Sequence, residues 1–123
     1  MDEIRRDADD ELEGFVARDG DAWLALTIFH GLLARTARRA QAVEIVRLHG
    51  LASLAERWRW FSRRSGEWRL VLPQEAAPGR VRVVLGYYAL PGVPTATITA
   101  ADLAAGDRLI LATDDDLEAA GLG

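Results

Sequence analysis

Arginine is the residue type in this chain best suited to binding chemistry, and its spacing is uneven. Of fifteen arginines, eleven lie between Arg35 and Arg82. Residues 1–34 carry three Arg against nine Asp and Glu, residues 35–82 eleven against four, and residues 83–123 one against six. The net charge of −4 therefore conceals an acidic–basic–acidic order. A guanidinium presents a rigid fork of donors to carboxylates and phosphates. Concentrated in one segment, such forks either steer a charged partner or draw the chain's own acidic ends back onto it. Lys and Asn are absent while Arg, Ala and Gly are plentiful. A GC-rich genome accounts for Arg in place of Lys, so the placement of the arginines is what informs.

Other groups able to do chemistry are few. The chain has no cysteine, which excludes a disulfide scaffold, a thiolate nucleophile and a Cys-ligated zinc. His30 sits among apolar residues and His49 beside a turn; both read as structural, and two histidines alone do not define a metal site. Asp114-Asp115-Asp116 offers carboxylates to a divalent cation, but a solvated acidic turn is the plainer account. There is no Gly-x-Ser-x-Gly elbow, phosphate-binding glycine loop or His-Glu-x-x-His. No catalytic residue, metal site or cofactor is expected.

The elements that position these groups follow from periodicity. Ile4, Ala8, Leu12, Phe15 and Val16 fall at helical spacing and predict an amphipathic helix over 2–18. Arg18–Asp21 breaks it, and Asp21 caps a second helix from Ala22 to near Gln41. A hairpin over Phe15–Leu26, turning at Asp19-Gly20, competes with that reading. Val43–Leu48 is a short strand or a new helix, and Leu51–Glu56 is helix-forming. Trp58 and Trp60, then Trp68, Leu70 and Leu72, then Val81, Val83 and Leu85 alternate as three half-buried strands. Ser62–Gly66 is a hairpin loop and Pro73–Gly79 a longer connection. After Tyr87-Tyr88, Pro91–Pro94 reads as a loop, with further strands at Thr95–Thr99 and Asp107–Thr113.

The expected fold class is α+β, with two N-terminal helices packed on an antiparallel sheet formed mainly by the C-terminal half. A chain of 123 residues makes one domain, helical over residues 1–41, mainly sheet over 42–113, with an acidic tail at 114–123. Trp23, Trp58, Trp60 and Trp68 anchor its core. Half the residues are apolar and 28% charged, a globular rather than disordered composition. No apolar leader follows Met1-Asp2-Glu3. The longest apolar run, residues 22–34, contains His30 and falls short of the roughly 20 residues a membrane span needs. The expected setting is cytoplasmic, without membrane contact.

With the tryptophans and leucines inward, alternation turns Arg57, Arg59, Phe61, Glu67, Arg69, Val71, Arg80, Arg82 and Val84 outward. Like charges facing across strands repel, so a face built on Arg57, Arg59, Arg69, Arg80 and Arg82 invites an acidic partner. The plainer account leaves the arginine stems over the sheet with their heads in water. The function expected is a non-enzymatic binding or regulatory protein acting through protein–protein contacts at that face. Its partner is another protein or a second copy, giving a homo-oligomer. Nucleic-acid binding through the central arginines is the alternative, and a small enzyme with an unrecognised site the third.

Two local resemblances bear on those alternatives. Residues 43–62 resemble a helix-turn-helix around Glu44–Leu51, which implies a second helix carrying Arg57, Arg59, Arg63 and Arg64 to DNA. The pattern departs at Glu56, where that motif buries an aliphatic, and a helix burying Trp58 leaves Trp60 on the opposite side. The acidic flanks also repel phosphate. Ala105–Asp114 is similar to the Gly-Asp…Thr-Asp strand of metal-dependent protein phosphatases of the 2C type. That resemblance covers ten residues and implies a metal ligand at Asp114. Asp115 stands where the family carries Gly, and the chain is too short for the rest of that fold.

Overall fold

Residues 2–36, expected as helices, run as four antiparallel strands. A computed structural model of the chain describes residues 1–85 and 92–119. In it β1 spans Asp2–Arg5, β2 Leu12–Asp19, β3 Ala22–Leu26 and β4 Leu32–Thr36. The competing hairpin over Phe15–Leu26 is the one that forms, with Phe15 opposite Leu26 and Asp19 opposite Ala22. Gly20 opens its two-residue loop at φ 61°, a left-handed conformation that suits glycine and matches the twist of paired strands. No helix runs over 2–18 or from Ala22 to Gln41. Instead a single helix, α1, spans Arg39–His49 and buries Ala42 and Val46. Residues 43–48 are therefore helical, and a 3-10 turn follows at Ala52–Ala55.

Helix α1 is amphipathic and lies on the first strands. Ile4, Val16, Ala25, Ala42 and Val46 form one buried cluster between them. Arg47 and His49 occupy its last turn, where positive charge complements the helix dipole.

The second half continues the sheet. Strands β5 (Trp58–Ser62), β6 (Glu67–Ala77), β7 (Arg80–Val84) and β8 (Thr95–Thr99) lead through helix α2 (Ala100–Ala104) to β9 (Arg108–Leu111) and helix α3 (Asp114–Ala119). The order is β1-β2-β3-β4-β9-β5-β6-β7-β8. Every neighbouring pair is antiparallel except β4 and β9, which run parallel through Leu32 and Ile110. The chain is thus mainly β, a nine-stranded sheet with three short α-helices among the described residues. This corrects the expected α+β fold of two helices on a C-terminal sheet.

Strand β6 also departs from expectation. Pro73–Gly79 is not a long connection, because the strand runs on to Ala77 and turns at Pro78-Gly79. A bulge between Pro73 and Glu75 bends it, a usual way to curl a sheet. Its first half pairs with β5 and its second with β7, wrapping a core of Phe29, Trp58, Val71, Val81, Val83, Ile98 and Leu109. Leu33 touches both clusters and joins them. Thr95–Thr99 is a strand as expected, and Arg108–Leu111 lies within the expected 107–113. Residues 114–119 of the expected acidic tail are helical. Tyr87, Tyr88, Pro91 and residues 120–123 lie outside the described residues. No helix among those described is long and apolar enough to cross a membrane.

Candidate interaction face

One residue of loop length decides which side chains share a face. A five-residue loop over Ser62–Gly66 would set Trp60 opposite Trp68 and point the two inward together. In the structure Ser62 instead pairs with Glu67, leaving a four-residue loop at 63–66. A one-residue slip moves a strand's whole side-chain set to the other face. Val71, expected outward, is fully buried opposite Trp58, and Trp68, expected inward, is 43% exposed opposite Phe61.

The outward face of β9, β5 and β6 is built from two cross-strand rows. Ile110, Arg59 and Leu70 form one; Arg108, Phe61 and Trp68 form the other. The guanidinium carbons of Arg59 and Arg108 lie 4.7 and 5.8 Å from the Trp68 ring centroid. Phe61 stands 5.5 Å from the same ring, tilted by 51°. The negative face of an indole attracts a cation, so Trp68 gathers both arginines around itself. Arg59 also donates from Nη1 to Asp116 of α3 at 3.0 Å. The Asp116 carboxylate accepts the Thr113 N–H and hydroxyl, both at 2.8 Å. Those bonds and Arg59 hold its pKa below the ordinary carboxylate value.

The five arginines expected on one face are divided. Arg59 joins the aromatic face. Arg69 falls opposite Trp60, on the other side of β6, and pairs with Glu67 at 3.5 Å. Arg80 and Arg82 project together from β7 and line a groove of about 180 Å³ with Glu75, Ala76, Ala77 and Thr97. Arg82 approaches Glu75 at 3.9 Å. Arg57 directly precedes β5, and its carbonyl accepts the Ala112 N–H at 3.1 Å. Arg108 and Trp68 belong to the face yet are not among the expected residues. The signal that finds them is the parity imposed by a four-residue loop.

Charge layout resolves largely within the molecule. Arg35 pairs with Asp19, Arg39 with Asp2 at 3.2 Å, Arg59 with Asp116, and Arg63 with Asp102 at 3.3 Å and Asp107 at 2.7 Å. The acidic ends thus fold back on the basic middle. Exposed pairs add little stability, but they reduce the positive charge available to a phosphate backbone.

Asp107 locks the edge of the face in register. It is 6% exposed and accepts the Arg63 N–H at 3.1 Å, Arg63 Nη1 at 2.7 Å and Trp60 Nε1 at 3.1 Å. Burial alone would raise its pKa; the Arg63 and Trp60 hydrogen bonds and the Arg63 charge outweigh that and hold it below the ordinary value. Removing the carboxylate strands buried donors, so Asp107→Ala lowers unfolding free energy by about 2–3 kcal/mol. Because the folded pKa is depressed, this contribution is complete above the usual carboxylate value near 3.9 and fades as pH falls through the lower folded value. Urea midpoints followed from about pH 5 to pH 2 therefore fall less steeply in Asp107→Ala than in the parent chain.

Other polar groups lie in a second groove and at the start of α3. His49, Ser53 and Glu56 line a groove of about 180 Å³ with Ala52, Leu111 and Ala112. The buried Ser53 hydroxyl donates to the Gly50 carbonyl at 2.8 Å. Asp114 begins α3, and no group of three His, Cys, Asp or Glu among the described residues is placed to hold a metal ion. Residues 58–62 are strand β5, so the second helix of a helix-turn-helix is missing. What the geometry defines is a mainly-β protein with an aromatic–arginine sheet face. No protein-family model, curated protein or solved structure matches the chain.

Proposed function

We propose that this chain is a non-enzymatic binding or regulatory protein that meets a protein partner through Arg59, Phe61, Trp68 and Arg108. One observation carries the reading: a tryptophan left 43% exposed on a sheet face beneath two guanidinium groups. Tryptophan and arginine dominate the energetic centres of protein interfaces. The indole offers apolar area to be covered, and Arg108 beside it presents donors to a carboxylate, while Arg59 already donates to Asp116. Arg80 and Arg82 extend the basic character along the same side of the sheet, which favours a partner presenting acidic residues around an apolar anchor. A cytoplasmic setting belongs to this reading.

Trp68→Ala and the pair Arg59→Glu/Arg108→Glu test it. Trp68→Ala removes a half-buried indole and its contacts with Phe61, Arg59 and Arg108, a loss of about 1 kcal/mol that leaves the chain folded, checked by urea unfolding. In affinity capture followed by direct titration of the recovered protein, both variants lose binding at least about tenfold, a loss of about 1.4 kcal/mol. Equal affinity for the parent and both variants defeats the assignment of this face.

A second reading draws on the same geometry. An exposed indole beside a phenyl ring and two guanidinium groups also suits stacking of an unpaired base. The internal pairing of the central arginines weighs against it. The expected result is little quenching of tryptophan fluorescence by oligothymidine at about 0.15 M salt. Tight, strongly salt-dependent quenching that disappears in Trp68→Ala would favour nucleic acid instead.

A further inference from the structure

The two ends of the nine-stranded sheet are unlike. At one end β1 exposes Asp2, Glu3 and Arg5, charges of the kind that blunt an edge strand. At the other end β8 reads Thr95-Ala96-Thr97-Ile98-Thr99, with neither charge nor proline. Its one strand partner among the described residues is β7. Ile98 is buried in the core, while Thr95 and Thr97 are exposed on the outward side with Thr99. Such an edge leaves backbone donors and acceptors open to another strand.

The order of residues in β8 is self-complementary. Laid antiparallel about a two-fold axis at Thr97, it sets Thr97 against Thr97, Thr95 against Thr99, and Ala96 against Ile98. The two Thr97 side chains then meet across the seam on one face, where their hydroxyls can bond; Thr99, whose hydroxyl and N–H are held by Asp102 in the cap of α2, offers Thr95 its carbonyl. Alanine and isoleucine meet on the other and extend the core. Pairing of β8 with β1 of another copy would instead place threonines against Asp2 and Glu3 and build an open filament. We propose that β8 pairs with β8 of a second copy, forming a two-fold dimer whose sheet runs through both chains.

The inference does not depend on the aromatic–arginine face, which lies on β9, β5 and β6. A five-residue ladder buries less than the roughly 1,200 Å² of a stable interface, so association is reversible and rises with concentration. Thr97 also lines the groove of Arg80 and Arg82. The dimer therefore brings two basic grooves beside one seam.

Because the chain has no cysteine, single thiols test the register directly. Residues opposite each other in an antiparallel pair lie about 4.5–5.5 Å apart, within disulfide reach. Under mild oxidation Thr97→Cys forms a covalent dimer at least about tenfold faster than Ser65→Cys, whose exposed loop reports random collision. Sedimentation of the parent chain shows a monomer–dimer equilibrium, and Thr97→Lys shifts it to monomer while circular dichroism stays unchanged. The proposal is overturned if folded Thr97→Cys cross-links no faster than Ser65→Cys. It also fails if the parent is monomeric at every concentration, as for an edge reserved for a foreign strand. Growth beyond dimers that survives Thr97→Lys would equally defeat it.

Discussion

Replacing Trp58 with alanine lowers the unfolding free energy by about 4 kcal/mol, in the middle of the range for truncating a buried aromatic. The indole is completely buried and meets the Phe29 ring edge-on at 5.3 Å. Its Nε1 donates to the Ser53 carbonyl at 3.1 Å, which also accepts the Glu56 N–H, so truncation leaves a void and removes one of that carbonyl's two hydrogen bonds. Phe29 comes from the loop before β4, Ser53 from the 3-10 turn, and Val71 from β6 across the ladder. No single element can move inward to fill the space without dragging the others. Urea unfolding read by circular dichroism measures the loss. A change below about 2 kcal/mol would mean that the site collapses around the smaller side chain.

Gly14→Ala is the second large effect, about 3 kcal/mol or more, for the opposite reason: there is no room. A Cβ at Gly14 would stand 2.2 Å from the Leu26 carbonyl oxygen and 2.8 Å from Val46 Cγ1. The first contact is backbone of the neighbouring strand; the second is the helix that covers it. Relieving both contacts requires β2 to separate from β3 and α1 to lift, uncovering Ile4 and Val16. Trimming Val46 to alanine in the same chain removes only the second clash. A double-mutant cycle is therefore expected to show little rescue. Substantial rescue would show that the helix contact, not the strand backbone, limits the site.

Much of the second half is legible because its strands are half-buried and alternate. Trp58/Trp60 and Val81/Val83 mark β5 and β7, and Thr95–Thr99 reads directly as β8. The first half misleads because helical spacing is present in residues that are in fact strand. In β2, Glu13, Gly14 and Val16 are all buried, which erases the period-two signal, and alanines at β3 and α1 satisfy either pattern. The hairpin cue at Asp19-Gly20 is correct and is outweighed by that false period.

The candidate face fails differently. Strands β5 and β6 are both expected, β6 cut short at Leu72, but their pairing is out by one residue, and one residue exchanges inside for outside. Trp68 is thus expected in the core, and Arg108, far along the chain, has no evident connection with it. No composition rule supplies register across a loop. Only the turn does, and Ser62 belongs to the ladder rather than to the loop. The acidic–basic–acidic order, by contrast, is a sound guide to internal pairing: Asp2 and Asp19 reach Arg39 and Arg35, and Asp116 reaches Arg59.

The parallel join of Leu32 to Ile110 governs the order in which the molecule can be made. Strand β9 fills a slot between β4 and β5, both of which leave the ribosome long before it. Until residues 108–111 emerge, β4 and β5 each present a bare edge to solvent or to a chaperone. The growing chain can close its first hairpins and cover them with α1, and it can curl β5 through β8. It cannot unite the two halves. Closing so distant a contact is slow, and unpaired edges are what nascent chains aggregate through. A nascent chain stalled before Arg108 is therefore two unfinished sheets rather than a shortened protein, and quality control would meet it as such.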